Sequence, residues 1–218
     1  MPILRLFPLN TVVFPRQQMP LHVFEQRYRQ LVREVLEEDG EFGISLIRSG
    51  HEVGGDAEPN TVGCTVRITN AEELPDGRFN IACEGVRRFR LVELLTPDPY
   101  TRGDVEYFID SDDTWSDATL EVAKSVSEQY THHLEISLGL QNSWQRSFQF
   151  PTDPGSLADY AAGRVDAVPI VKQEMLEAEQ VTRRLELVLR ALRAENGRLD
   201  EQLVAHQRRT RSGLGTLN

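Results

Sequence analysis

The sequence predicts an α+β protein in which a β-rich first half precedes an α-helical second half. Apolar and polar residues alternate through residues 62–68 and 79–83, which is the period of a half-buried strand. After residue 113 the apolar residues recur every three or four positions, which is the period of an amphipathic helix. Hydrophobic residues make up 39% of the 218-residue chain, close to an ordinary globular content. We therefore expect one large domain or two small ones, each with its own core.

The first half is predicted to consist of short, mostly antiparallel strands. The two alternating runs flank Asp76-Gly77, a pair that favours a hairpin turn because glycine accepts a positive φ without steric cost. Further strand candidates lie at residues 3–9, 42–47, 89–95 and 100–108. Successive short strands pair in parallel only through crossovers, so a mostly antiparallel, partly closed barrel is the expected arrangement.

Four helices are predicted from apolar residues at three- and four-residue spacing. The first, over residues 24–36, would plug or flank the barrel. The second follows Ser116, a favourable N-cap, and the third begins at Asp153, whose side chain can cap a helix that starts with proline. The fourth and longest has an apolar seam from Ala178 to Leu199, which intramolecular packing explains better than contact with a partner.

An acidic polar stretch at residues 110–113 separates the two halves. We expect a β-barrel subdomain over residues 1–113, a helical bundle with a long C-terminal helix over residues 114–206, and a flexible tail over residues 207–218. The tail is polar and contains two glycines, a composition typical of frayed termini.

The charge of the chain argues against binding to nucleic-acid backbones. There are 24 Lys and Arg against 34 Asp and Glu, a formal net charge of −10. The run Arg87-Arg88-Phe89-Arg90 is the local feature that suggests nucleic acid, but strand alternation separates Arg88 and Arg90 from Arg87. We interpret this run as a solvated strand that pairs with nearby acids. The tail arginines at 208, 209 and 211 are similarly ambiguous.

The common catalytic motifs are absent from the sequence, which has no phosphate-binding loop, no GxGxxG, no HExxH and no CxxC. Cys64 and Cys83 share a predicted strand face and could bind metal or act as nucleophiles, but burial as small apolar residues explains them better. His132 and His133 point about 100° apart on a helix, a poor geometry for one metal ion. A hydrolase or small-molecule site remains an alternative, and it would need a pocket that combines His22 or Cys64 with acids. We expect no cofactor and no metal.

The cellular location is predicted from the cysteine count and from the N-terminus. Two cysteines are too few for a disulfide scaffold and fit a reducing cytosol. The N-terminal segment carries Arg5 and is interrupted by two prolines before a targeting signal can form. No uncharged apolar stretch approaches the roughly 20 residues of a membrane-spanning helix. We expect a soluble cytoplasmic protein that makes no membrane contact.

Three large aromatic residues in the connection between the second and third helices are the candidate partner-binding site. They are Trp144, Phe148 and Phe150. Such side chains either fold back onto the helices or anchor a partner, because aromatic residues dominate interface energetics. Both interpretations stay open.

Ordered motifs across most of the chain resemble one protein family. Residues 6–15 (LFPLNTVVFP) and 19–28 (MPLHVFEQRY) resemble the signature of the N-terminal domain of Lon proteases. The likeness continues through 74–79 (LPDGRF) and 84–89 (EGVRRF), and it spans about residues 3–195. The helical half is similar to the family at 153–159 (DPGSLAD), 172–177 (KQEMLE) and 184–186 (RLE).

The resemblance implies a PUA-like antiparallel pseudo-β-barrel with a flanking helix, followed by a C-terminal helical bundle. Full-length Lon continues into an ATPase and a Ser-Lys protease, and neither is present here, so we expect no catalytic activity. The Lon N-terminal domain is associated with substrate recognition. We therefore expect a protein- or peptide-binding module, an adaptor or regulator whose partner is an unfolded client or a protease. The alternative is RNA binding, because PUA-like barrels of other families bind RNA.

Overall fold

The computed structural model describes residues 2–38, 40–54, 57–95, 99–110, 112–141, 143–145 and 147–214, without the side chains of 112–113 and 207–214. Within these ranges the chain forms six strands and five α-helices, and a short 3-10 turn precedes the second helix. The strands are β1 (Ile3–Leu9), β2 (Gln18–Val23), β3 (Glu41–Ser49), β4 (Glu58–Glu73), β5 (Phe79–Leu95) and β6 (Arg102–Tyr107). The helices are α1 (Gln26–Glu38), α2 (Asp117–Leu140), α3 (Pro154–Arg164), α4 (Pro169–Glu177) and α5 (Val181–Leu214).

The strands form one mixed sheet in the order β2-β5-β4-β3-β1-β6, and β5 pairs with β6 as well. All pairings are antiparallel except that of β1 with β3. The chain passes from β1 to β3 through β2 and α1, which supply the crossover that a parallel pair needs. The α+β class and the predominance of antiparallel pairs are confirmed, whereas the sequence pattern did not predict the parallel pair.

Helix α1 covers the main core of the sheet. It buries Tyr28, Leu31, Val32 and Val35 against the strands. The ring of Tyr28 stacks on Phe7 of β1 with the ring centroids 3.8 Å apart. This contact fixes the start of the helix against the first strand, which positions the surface described below.

The chain folds into two compact units, and each unit is built from two separate segments of the sequence. Residues 1–110 and 168–179 form the first unit, and residues 111–167 and 180–218 form the second. The predicted boundary at residue 113 lies close to residue 110, where the chain first passes from one unit to the other. Helix α4, however, belongs to the first unit. The backbone of α5 is helical as far as Leu214, so flexibility of residues 207–218 stays a prediction, and 215–218 lie outside the described residues.

In the second unit, α2 and α5 run side by side in the same direction. Thr119 and Thr182, both near the starts of these helices, place their hydroxyl oxygens 2.5 Å apart, and His132 meets Asp200 further along. Helix α3 packs against both. A bundle remains a prediction for this unit.

Arg88 of β5 is buried, so its interpretation as a solvated residue is wrong. Its side chain is 3% exposed because both faces of β5 are covered at this point. Nη1 donates to the backbone oxygens of Leu176 (3.0 Å) and Ala178 (2.7 Å) at the end of α4, and Nη2 donates to Asp110 (3.0 Å). The predicted pairing with an acid is correct, and the guanidinium also satisfies carbonyls that a helix end leaves free.

Replacing Arg88 by alanine is expected to lower the free energy of unfolding by about 2–4 kcal/mol, because buried carbonyls lose their donors. The matched control is Arg90→Ala, which removes an exposed arginine paired with Glu179 at 2.5 Å and should cost less than about 1 kcal/mol. Urea unfolding followed by circular dichroism measures both changes. Equal losses would contradict the assigned role of Arg88.

Arg5 of β1 ties α1 to the sheet through two carboxylates. Its guanidinium donates to Glu34 (3.2 Å) and Glu38 (2.7 Å), and the hydroxyl of Tyr100 donates to Glu34. The hydrogen bond from Tyr100, with those from Gln30 and Arg5, holds the pKa of Glu34 below its ordinary value. A carboxyl whose pKa is lower in the folded state stabilises the fold above its unfolded pKa, and that stabilisation is lost as the pH falls.

Tyr100→Phe is expected to weaken the dependence of stability on pH. Between about pH 7 and about pH 3, the wild type should lose more free energy of unfolding than the variant, because the variant lacks the main cause of the lowered pKa of Glu34. Tyr107→Phe is the control, since Tyr107 donates no hydrogen bond to a carboxylate among the described residues. Urea titrations across this pH range measure the effect, and identical pH profiles for wild type and Tyr100→Phe would refute it.

Candidate functional site

The three predicted partner-binding aromatics lie between α2 and α3, in two different environments. Trp144 is 74% exposed. Phe148 and Phe150 are half-buried and stack with their centroids 6.4 Å apart. Phe150 also meets Tyr130 edge-on at 5.4 Å and lies 6.3 Å from Tyr160. Phe150 therefore folds back onto the helices with Phe148 stacked on it, whereas Trp144 stays on the surface. Binding of a partner by these residues remains a prediction.

The adjacent histidines of α2 have different partners, as helical geometry predicts. Nε2 of His132 lies 3.1 Å from Asp200, and Nδ1 of His133 lies 3.2 Å from Asn196. In the part of the chain that the structure describes, no three His, Cys, Asp or Glu side chains are grouped so that they could hold a metal ion.

Cys64 and Cys83 belong to the core under α1. Both residues are thiols rather than parts of a disulfide, and both are fully buried. Burial raises the pKa of Cys83 to about 12, so this thiol is not ionised near neutral pH. The interpretation of both cysteines as core residues is confirmed.

The arginines of the basic run do not form an exposed basic stripe. Arg88 is buried, and the guanidinium carbon of Arg87 lies 3.7 Å from the centroid of the Tyr107 ring. Arg90 pairs with Glu179. The RNA-binding alternative therefore gains no support from these residues.

A groove of about 210 Å³ opens in the first unit beside β2. We call it the Phe24 groove. It is lined by parts of β1, β2, α1 and the β3–β4 connection, namely Phe7, Leu9, Pro20, Leu21, His22, Val23, Phe24, Glu25, Tyr28, Glu52 and Val53. Phe24 and Val53 are 49% and 57% exposed. A concave site with exposed apolar side chains is suited to binding a ligand.

Phe24 lies outside the helix that was predicted to contain it. Helix α1 begins at Gln26, and the backbone N–H groups of Tyr28 and Arg29 donate to the carbonyl of Glu25. Phe24 therefore precedes the first turn and turns toward solvent. Helical periodicity gives no sign of the groove, because Val53 comes from a segment distant in sequence.

Strand β2 leaves one edge of the sheet open beside this groove. Among the described residues it pairs with β5 alone. Pro20 lies within it and has no N–H to donate, a residue typical of edge strands. An extended peptide could pair with such an edge while its side chains enter the adjoining groove.

Two carboxylates lie on the polar rim of the groove. Glu25 forms an ion pair with Arg27 at 3.0 Å. Glu52 accepts hydrogen bonds from the side chain (2.8 Å) and backbone N–H (3.3 Å) of Asn10, and it has no cationic partner among the described residues. Burial raises the pKa of Tyr28, beneath the rim, to about 12, so its hydroxyl stays neutral.

Among the described residues that line the groove, His22 carries the imidazole. Arginine only donates, so His22 Nε2, 3.4 Å from Arg78 Nη1, acts as the acceptor. Its Nδ1–H then donates to Asn80 Oδ1 at 2.7 Å. The groove combines His22 with two acids, Glu25 and Glu52, as the hydrolase alternative required. Its described lining contains no Ser, Thr or Cys, and the one hydroxyl there, that of Tyr28, stays neutral, so a hydrolase would lack the usual nucleophile.

Alanine at Phe150 and at Trp144 should affect stability differently. Phe150→Ala removes a half-buried ring from the cluster with Tyr130 and should lower the free energy of unfolding by about 1–2 kcal/mol. Trp144→Ala removes a ring that is mostly in solvent and should change it by less than about 0.5 kcal/mol. Urea unfolding distinguishes the two, and a larger loss at Trp144 would contradict this placement of the connection.

None of the described helices combines the length and apolar character that crossing a membrane requires.

The chain is similar to the N-terminal region of Lon proteases. The family model of the ATP-dependent protease La (LON) substrate-binding domain matches residues 3–194. A Lon protease of Anaeromyxobacter dehalogenans is 28% identical over 195 residues, and Lon protease 2 of Myxococcus xanthus is 28% identical over 192 residues. Each match covers 87% of this chain and 23% of the relative, so the chain spans about a quarter of the length of these curated relatives.

Two solved structures have a similar fold. The crystal structure of a Lon N-terminal domain protein from Xanthomonas campestris is 26% identical, with a TM-score of 0.64, and the match covers 87% of this chain and 98% of that one. The N-terminal domain of a Mycobacterium avium complex Lon protease is 18% identical, with a TM-score of 0.62 and coverage of 88% and 98%. The second similarity concerns the fold alone.

Proposed function

Because the chain belongs to the LON substrate-binding domain family, we propose that it binds polypeptides that expose apolar segments. Membership in this family supports a role in recognising protein substrates. The observation that carries the proposal is the Phe24 groove, an exposed apolar concavity beside an open strand edge. Unfolded proteins expose the two features that such a site takes, namely apolar side chains and unpaired main-chain groups.

In the proposed complex, a client segment lies extended along β2. Its main chain pairs with the open edge, and one or more apolar side chains enter the groove against Phe24 and Val53. Main-chain pairing does not depend on the sequence of the client, and the groove requires only an apolar side chain. Many different polypeptides can therefore bind. A groove of this size holds few side chains, so we expect dissociation constants on the order of micromolar.

We also propose a second contact surface at Trp144, Phe148 and Phe150. Trp144 is exposed, and the two stacked phenylalanines beside it in sequence are held by Tyr130. A large, exposed aromatic side chain is the kind of anchor that interfaces favour. This surface would take a client or a protease partner.

The module would act without catalytic activity of its own, in the cytoplasm, as an adaptor that presents clients to a protease or as a regulator of one. The family model covers a substrate-binding domain, and the relatives that share this region are named as proteases. The described lining of the groove is mostly apolar and contains no Ser, Thr or Cys, which suits binding better than hydrolysis by one of these nucleophiles.

For the architecture, we propose a PUA-like pseudo-barrel in the first unit and a helical bundle in the second. The first part is supported by the circuit of pairings β5-β4-β3-β1-β6-β5, which returns to its starting strand. The second is supported by the mutual contacts of α2, α3 and α5.

Binding to a reduced and carboxymethylated model protein, which stays unfolded, tests the proposed function. We expect micromolar binding in fluorescence anisotropy, and we expect Phe24→Ser to weaken it by about fivefold or more, because an apolar anchor is lost. The matched control is Val92→Ser, since Val92 is equally exposed, at 49%, but lies outside the groove. Trp144→Ser reports separately on the second surface.

Absence of binding at micromolar concentration would overturn the proposal. If Phe24→Ser and Val92→Ser lost affinity equally, the groove would not be the binding site. Circular dichroism of each variant checks that the fold is intact.

A further inference from the structure

We propose that the Phe24 groove selects apolar segments flanked by lysine or arginine over those flanked by acids. This rests on the proposed function and names its substrate class. Charges on the rim of the groove would cause this selection. The apolar lining alone would not distinguish basic flanks from acidic ones.

The first observation is that the carboxylate of Glu52 has no cationic partner among the residues that the structure describes. Glu52 lines the groove, and in that part of the chain its hydrogen bonds come from the neutral groups of Asn10. The two arginines next to the lining are each paired with an acid, Arg27 with Glu25 at 3.0 Å and Arg78 with Asp76 at 2.7 Å. The rim therefore carries a net negative charge at Glu52.

The second observation is the charge of the whole unit that carries the groove. Residues 1–110 and 168–179 contain 13 Lys and Arg against 21 Asp and Glu, a formal net charge of −8. Such a field draws cationic segments toward the surface and repels anionic ones, and salt screens it.

Lysine and arginine suit both features of this site. Their aliphatic stems can lie against exposed apolar side chains such as Phe24 and Val53, while the charged group reaches the carboxylate of Glu52. An acidic flank would face a like charge and lose solvation without gaining a partner, so the site discriminates by repulsion as well as by attraction.

Three peptides test the proposal. They share one apolar core, and their flanking residues are lysine in the first, serine in the second and glutamate in the third. By anisotropy at low salt, the lysine-flanked peptide should bind about threefold or more tightly than the serine-flanked one, and the glutamate-flanked peptide should bind weakest. The preference should shrink as salt is added. Glu52→Gln should reduce the preference for lysine over serine by about half or more, while the serine-flanked peptide keeps its affinity.

Glu93→Gln is the matched control, because it makes the same change of charge at an exposed position of the same unit outside the groove. Equal affinities for the three flanks, with all binding lost in Phe24→Ser, would overturn this inference and leave the proposed function standing. If Glu52→Gln and Glu93→Gln reduced the preference for lysine flanks equally, Glu52 would have no specific role in the selection. No binding of any peptide or of the unfolded model protein would overturn the proposed function and this inference together.

Discussion

The buried guanidinium of Arg88 fixes the path of the chain through the first unit. It binds Asp110, where the chain leaves this unit, and the carbonyls at the end of α4, just before the chain leaves it again. A cation is well placed there, because the last carbonyls of a helix carry partial negative charge and lack partners within the helix. One side chain on β5 thus donates hydrogen bonds to acceptors from two distant parts of the sequence.

The position of α1 decides whether the groove exists. The stacking of Tyr28 on Phe7 and the ion pairs of Arg5 hold this helix against β1. With the helix fixed, Phe24 is left ahead of the first turn, beside β2, which among the described residues pairs with a neighbouring strand on one side only. The floor of the groove is therefore part of the core, and only its rim is exposed to solvent. A preformed floor lowers the entropic cost of ordering the site when a client binds.

The sequence predicted the features that local chemistry determines. The hairpin turns at Gly77, which has a φ of 77°, and the side chains of Ser116 and Asp153 cap α2 and α3 as expected. The resemblance to Lon N-terminal domains, carried by ordered motifs, predicted the family. What escaped prediction depends on contacts between distant segments. The return of α4 to the first unit and the burial of Arg88 follow from packing that periodicity does not encode.

The apolar groove escaped prediction for the same reason, because β1, β2, the start of α1 and the β3–β4 connection converge on it only in three dimensions. The sequence had named His22 with acids only as an alternative site. Hydrogen exchange measured by mass spectrometry, in the presence of the unfolded model protein, shows whether polypeptides bind at this groove. We predict slower exchange in peptides that cover β2 and the start of α1, since the open edge gains main-chain partners and the groove is covered. Unchanged exchange in these peptides while the client is bound, with protection only elsewhere in the chain, would show that the groove is not the binding site.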